Sequence, residues 1–156
     1  MPRPFAGLTV FENVLVGASF GGRHRGGRDT TARCVDSLEQ AGLLAKANVA
    51  AGALNLLDRK RLELARALAC TPDVLLLDEL AGGLTEPEVL ALVEVVKAIH
   101  AGGMSIIWIE HIVHALLRVV DRIVAMDYGR LLIDGDPHEV MASPEVRRIY
   151  LGQEVA

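Results

Sequence analysis

Leu75-Leu76-Leu77-Asp78-Glu79 runs three apolar residues straight into two adjacent carboxylates, with the turn residues Gly82-Gly83 close behind. A short apolar run bounded by Pro72 and the glycines reads as a strand, Val74–Asp78, expected to be buried. Such a strand delivers its acids to the carboxyl edge of a parallel sheet, where open α/β folds place their ligands. Two neighbouring carboxylates at a strand end repel each other unless a cation or hydrogen-bond donors compensate. The bland alternative is a core strand whose end is acidic by accident.

Working outward on the carboxyl-terminal side, strands and helices alternate. Thr85 and Glu88 have capping-box spacing and Pro87 falls in the first turn, so a helix begins there. Val89, Leu92, Val93, Val96 and Ile99 recur at helical spacing and give it one buried face. Gly102-Gly103 closes the helix, and Ser105–Ile109 is the next strand. His111 follows at once and is expected to open a helix through Leu117. Its bland reading is a helix-capping or half-buried imidazole. At the carboxyl end of the strand neighbouring Val74–Asp78, it can reach the same crevice. Arg122–Met126 and Leu131–Ile133 read as a hairpin around Asp127-Tyr128-Gly129-Arg130, and Ser143-Pro144 starts a terminal helix.

On the amino-terminal side the texture is helical. Thr9 and Glu12 form a capping box ahead of Val10, Phe11, Val14 and Leu15. A second helix is expected over Thr31 to Ala41, with Val35 and Leu38 inward. A third is expected over Asp58 to Cys70, with Leu62, Ala65, Leu68 and Ala69 in one stripe, and Pro72 stops it. The break at Thr71-Pro72 divides the sequence into residues 1–71 and 72–156.

At 156 residues, half of them apolar and 23% charged, the composition is that of one α/β protein with a core. Met1-Pro2-Arg3-Pro4-Phe5 reads as the middle of a loop and lacks the pattern of a secretory leader. Cys34 and Cys70 have no metal-ligand spacing and are expected to be reduced thiols. A net charge of −4 argues against a nucleic-acid role. The cluster Arg23-His24-Arg25-Gly26-Gly27-Arg28, without interleaved aromatics, is read as a solvated loop. His24, His100, His114 and His138 are expected at the surface.

The chemistry concentrates at the strand ends. Asp78 can hold Mg²⁺, Glu79 can orient a water for attack on a terminal phosphate, and an imidazole at His111 can contact that phosphate. No Gly-rich loop ending in Lys-Ser/Thr occurs in the 156 residues. The sequence therefore looks like part of a nucleotide-hydrolysing machine whose front end is missing.

The order Leu62-Glu63-Leu64-Ala65-Arg66-Ala67-Leu68, Leu75-Leu76-Leu77-Asp78-Glu79, Gly83-Leu84-Thr85-Glu86-Pro87-Glu88 and Ile109-Glu110-His111 resembles the ATP-binding subunits of ABC transporters. Arg3–Val10 with Glu12-Asn13-Val14, and the closing Arg147–Gly152, look most like those of branched-chain amino-acid importers. The resemblance implies a partial P-loop NTPase (ABC ATPase) fold, α/β, with a parallel sheet core and a helical subdomain. Residues 1–71 would hold the segment after the glutamine loop and the helical, signature-bearing subdomain; residues 72–156 would be the α/β core.

The resemblance also implies roles. Asp78 would be the Walker B acid on Mg²⁺, Glu79 the general base and His111 the switch histidine. Gly83, Leu84 and Thr85 would lie in the D-loop, and Leu54 to Asp58 would fill the signature position, with Asn55, Leu56 and Leu57 near ATP of the opposite subunit. That stretch departs from the family, which has Ser and paired glycines there; a branched Leu57 hinders the close backbone approach that glycine permits. Thr85 stands where an acid or Asn is usual. ATP and Mg²⁺ are the implied cofactors. Transmembrane permease subunits and a second ATP-binding subunit are the implied partners, without nucleic acid, at the cytoplasmic face of the inner membrane as a peripheral protein. The alternative is a non-catalytic docking module or an inactive remnant.

Overall fold

The computed structural model describes residues 4–21 and 29–150. The Arg23–Arg28 cluster with its His24, together with Arg3 and Leu151-Gly152, lies outside the described residues. The chain forms two compact units, Met1–Ile112 and Val113–Ala156. The Thr71-Pro72 break is a turn inside the first of them, with Thr71 at φ +51°.

In the first unit, three helices make a closed packet: α1 (Val10–Phe20), α2 (Thr30–Gln40) and α3 (Leu56–Leu68). The expected capping box at α1 forms. Thr9 Oγ1 accepts the Glu12 N–H at 3.1 Å, and the Glu12 carboxylate accepts the Thr9 N–H at 2.7 Å. That backbone N–H holds the Glu12 carboxyl below the usual range. Val10, Val14, Ala18, Cys34, Leu38, Leu62, Ala65 and Ala69 bury together. Val35, expected inward, is only half-buried; Cys34 beside it takes the buried position. Helices α1 and α3 approach closely at Gly17, where any Cβ would stand 2.6 Å from the Arg66 carbonyl oxygen. Cys34 and Cys70 are free, and burial pushes the Cys34 thiol up.

Helix α3 starts at Leu56, two residues before the expected Asp58, because Asn55 caps it and accepts the Asp58 N–H at 2.8 Å. Strand β1 (Val74–Asp78) and β2 (Ser105–Ile109) pair in parallel, with Leu76 opposite Ile107 and Asp78 opposite Ile109. Between them lies α4 (Glu86–Ala101), whose predicted face of Val89, Leu92, Val93, Val96 and Ile99 is buried. The expectation of a buried strand holds for one face only. Leu75 and Leu77 are buried, whereas Leu76 is 72% exposed and Ile107 and Ile109 are 57% and 63% exposed. Strand side chains alternate in direction, and no described element of the first unit covers the second face.

The second unit holds α5 (Val113–Leu116), the antiparallel strands β3 (Ile123–Asp127) and β4 (Arg130–Gly135), α6 (Pro137–Ala142) and α7 (Pro144–Tyr150). The hairpin turn is tight. Tyr128 and Gly129 both have positive φ, +43° and +77°, as a two-residue turn matched to strand twist requires. Ala125, Val140 and Val146 form its core. Helix α6 escaped the sequence reading, although Asp136 before Pro137 is a start signal: Asp136 accepts the His138 N–H at 2.8 Å. Helix α5 begins at Val113, so His111 precedes the helix and does not open it. No described helix is long and apolar enough to cross a membrane.

Candidate active site

Both parallel strands end at one edge, so Asp78, Glu79, Glu110 and His111 arrive there together. His111 Nδ1 stands 3.8 Å from Glu79 Oε1, and these two side chains are 68% and 67% exposed. An acid and an imidazole at this separation are beyond direct hydrogen-bond reach and can both contact one ligand between them, and both face solvent. Asp78 is exposed on the same strand face as Leu76.

The backbone beyond β1 turns sharply. Glu79 takes φ +44°, a left-handed conformation that non-glycine residues rarely adopt. Its N–H donates to Ile109 O at 2.9 Å, continuing the ladder. The turn closes through Gly82 N–H on Glu79 O at 3.2 Å, with Gly83 at φ +81°. Thr85 then caps α4, its N–H donating to the Glu88 carboxylate at 2.8 Å. That backbone donor holds the Glu88 carboxyl below the usual range. Leu84, between them, is half-buried.

Asn55, Leu56 and Leu57 sit at the amino end of α3. The Leu56 methyl Cδ2 lies 3.3 Å from where a Cβ on Gly83 would stand, so this end of α3 adjoins the turn. Asp58 is buried and paired with Lys46, with Arg61 at 3.9 Å. Asn55 occupies the cap with its own side chain, and Leu57 adds a branched, half-buried side chain to this end.

Two residues of the site were missed as such in the sequence. The Glu110 side chain is wholly buried, and its Oε1 accepts the Ala81 N–H at 2.7 Å. Buried Lys60 on α3 donates to Glu79 O at 3.2 Å. Glu110 was visible only as the residue before His111. Lys60 carried no signal, since a lysine amid Arg59 and Arg61 reads as solvated.

Among the described residues no group of three His, Cys, Asp or Glu side chains converges as a metal cage. Mg²⁺ on a nucleotide needs none, because it keeps several waters and takes one or two carboxylates plus phosphate oxygens. One exposed Asp78 beside Glu79 fits that donor set. An open cleft of about 550 Å³ near Pro72, Gly102 and Met104 lies at the opposite, amino-terminal ends of the strands, away from the acids.

No protein-family model matches the chain. Over 97% of its length it is 34% identical to the high-affinity branched-chain amino acid transport ATP-binding protein LivG of Salmonella typhimurium. It is 31% identical over the same share to the corresponding protein BraF of Pseudomonas aeruginosa. The chain spans 65% of the length of each of these relatives. Among solved structures, the ADP conformation of MJ1267, an ATP-binding cassette of an ABC transporter, superposes with a TM-score of 0.85 at 24% identity. The match covers 98% of this chain and 66% of that one. That likeness establishes the ABC ATPase fold.

Proposed function

From its relationship in sequence to ABC-transporter ATP-binding proteins and its ABC ATPase fold, we propose that this chain carries the hydrolytic half of an ATP-driven transport subunit. The single observation that bears most weight is Glu79 and His111 meeting at 3.8 Å where two parallel strands end. Glu79 takes the proton of the attacking water, and His111 contacts the terminal phosphate and holds Glu79 in register with it. Asp78 would hold Mg²⁺ through water. The bound Mg–ATP supplies the phosphoryl group and charge neutralisation. Catalysis by this chain is then positioning and electrostatics.

On the same reading, Gly83, Leu84 and Thr85 face a second ATP-binding subunit, and Asn55, Leu56 and Leu57 face the nucleotide held there. Residues 1–71 act as the signature-bearing helical part and residues 72–156 as the core. The partners are permease subunits, with the chain peripheral on the cytoplasmic face of the membrane. LivG and BraF carry branched-chain amino acids in their names, and we assign this chain to the same substrate class.

The test is ATP turnover in a transporter assembled with the chain. Glu79→Gln should lower kcat by a factor of about 10² or more, the usual worth of a positioned base. Turnover that survives the substitution would remove Glu79 from the role. A second reading treats the 156 residues taken by themselves as a docking module without turnover, since these residues hold no Gly-rich loop with its Lys to cradle phosphate. The purified 156-residue polypeptide should accordingly hydrolyse ATP no faster than its Glu79→Gln form. Mg²⁺-dependent turnover by the unsubstituted polypeptide alone would discard that second reading.

A further inference from the structure

We infer that Lys60 and Glu110, two buried charged side chains, are positioning residues that clamp the Glu79–Gly83 turn from two different elements and so aim the Glu79 carboxylate. The inference rests on the reading of Glu79 as the base. A residue bearing a Cβ stays at φ +44° only where its surroundings over-determine it. Relaxing that angle would swing the Glu79 side chain away from His111.

The surroundings act at three backbone points. The Glu79 N–H is held by Ile109 O at 2.9 Å. The Glu79 carbonyl accepts Lys60 Nζ and the Gly82 N–H, each at 3.2 Å. Two residues on, the Ala81 N–H donates to Glu110 Oε1 at 2.7 Å. The other carboxylate oxygen of Glu110 accepts the N–H groups of His111 at 3.2 Å and Ile112 at 3.5 Å. One buried carboxylate thus spans the turn after β1 and the segment carrying the imidazole, fixing both functional side chains to one point. Lys60 and Leu56 share a face of α3, one turn apart, and Leu56 adjoins Gly83. The amino end of α3 and the turn are therefore tied by one apolar and one ionic group.

Glu110→Gln tests the clamp with almost no change of shape. One oxygen becomes an NH₂ group, so either Ala81 or the His111–Ile112 pair then faces a donor. In the 156-residue chain, the amide hydrogens left facing that donor, Ala81 or else His111 and Ile112, should exchange at least about tenfold faster, the effect of losing a hydrogen bond to a charged acceptor. The amides of the β1–β2 ladder should keep their rates. Lys60→Met, which keeps length and loses the donor, should speed exchange at Glu79 and Gly82 and serves if Glu110→Gln fails to fold. In the assembled transporter both variants should lower kcat with the KM for ATP within about twofold, because neither residue is given a nucleotide contact. Unchanged rates at Ala81, His111 and Ile112 alike in Glu110→Gln, acceleration shared by the whole ladder, or a KM effect without loss of kcat would overturn the inference. Glu79→Gln separates it from the functional reading. Turnover surviving that change removes the base, whereas the clamp is judged on the Ala81, His111 and Ile112 rates, which Glu79→Gln should leave alone.

Discussion

The helical packet and the strand pair bury apolar side chains to different degrees. In the packet, Val10, Val14, Leu38 and Leu62 are fully enclosed by α1, α2 and α3 themselves. In the strand pair, Leu75 and Leu77 are buried while Leu76, Ile107 and Ile109 on the other face meet water. Three amphipathic helices can close a core among themselves, because each needs to hide only one stripe. A sheet has two faces and needs a layer on each when both are apolar. The packet therefore carries its own stability, and the strand pair draws its order from one side alone.

The largest expected effect follows from that contrast. Leu62→Ala would open a cavity in the enclosed packet and should cost about 3 kcal/mol, read as a shift of the denaturant midpoint. A loss below about 1 kcal/mol would mean that the packet is loosely filled and that its distinction from the strand pair is false.

A smaller effect belongs to the rim of the packet. Thr9→Ala removes the side-chain cap of α1 and should cost about 1 kcal/mol at neutral pH. The Glu12 half of the same box is pH-dependent. Its folded pKa lies below the ordinary 4.5 because the Thr9 backbone N–H, then the Thr9 hydroxyl, donates to the carboxylate. The contribution of a depressed carboxyl is present above its unfolded pKa and is lost as pH falls through the folded value. The stability difference between the unsubstituted chain and Glu12→Ala should therefore be constant above about pH 5 and shrink below 4.5. A difference that widens in acid would contradict the bond.

Much of this was legible in residues because periodicity is a local code. Leu62, Ala65, Leu68 and Ala69, or Val89 through Ile99, declare a buried helical stripe without reference to any partner. Asp78, Glu79 and His111 were legible because each follows an apolar run that can only be a strand. Whether both faces of that strand are covered depends on what packs there, and Leu76 reads the same buried or bare. The left-handed turn at Glu79 was invisible, since glutamate signals nothing about positive φ. Glu110 and Lys60 were invisible for a related reason. Their burial is justified only by backbone groups that reach them through tertiary contact, Ala81 N–H in one case and Glu79 O in the other. The roles of Gly83, Leu84 and Thr85 and of Leu54 to Asp58 were expected from the family resemblance alone. What the coordinates add is that Gly83 and Leu56 adjoin.

The smallest effect on stability is expected where the sequence looks most like core. Leu76 is the central apolar residue of β1, and substitution there would ordinarily count as a core lesion. Yet at 72% exposure its side chain gains little from folding, so Leu76→Thr should change stability by no more than about 0.5 kcal/mol, as at other exposed positions. Threonine also brings the β-branched shape that strands favour. Self-association should respond instead, because Leu76, Ile107 and Ile109 expose apolar side chains on one strand pair that no further strand joins among the described residues. Sedimentation of the 156-residue chain should show fewer oligomers for Leu76→Thr at unchanged melting. A destabilisation as large as that of Leu62→Ala would mean that this face is covered in solution, and the contrast between packet and strand pair would fall with it.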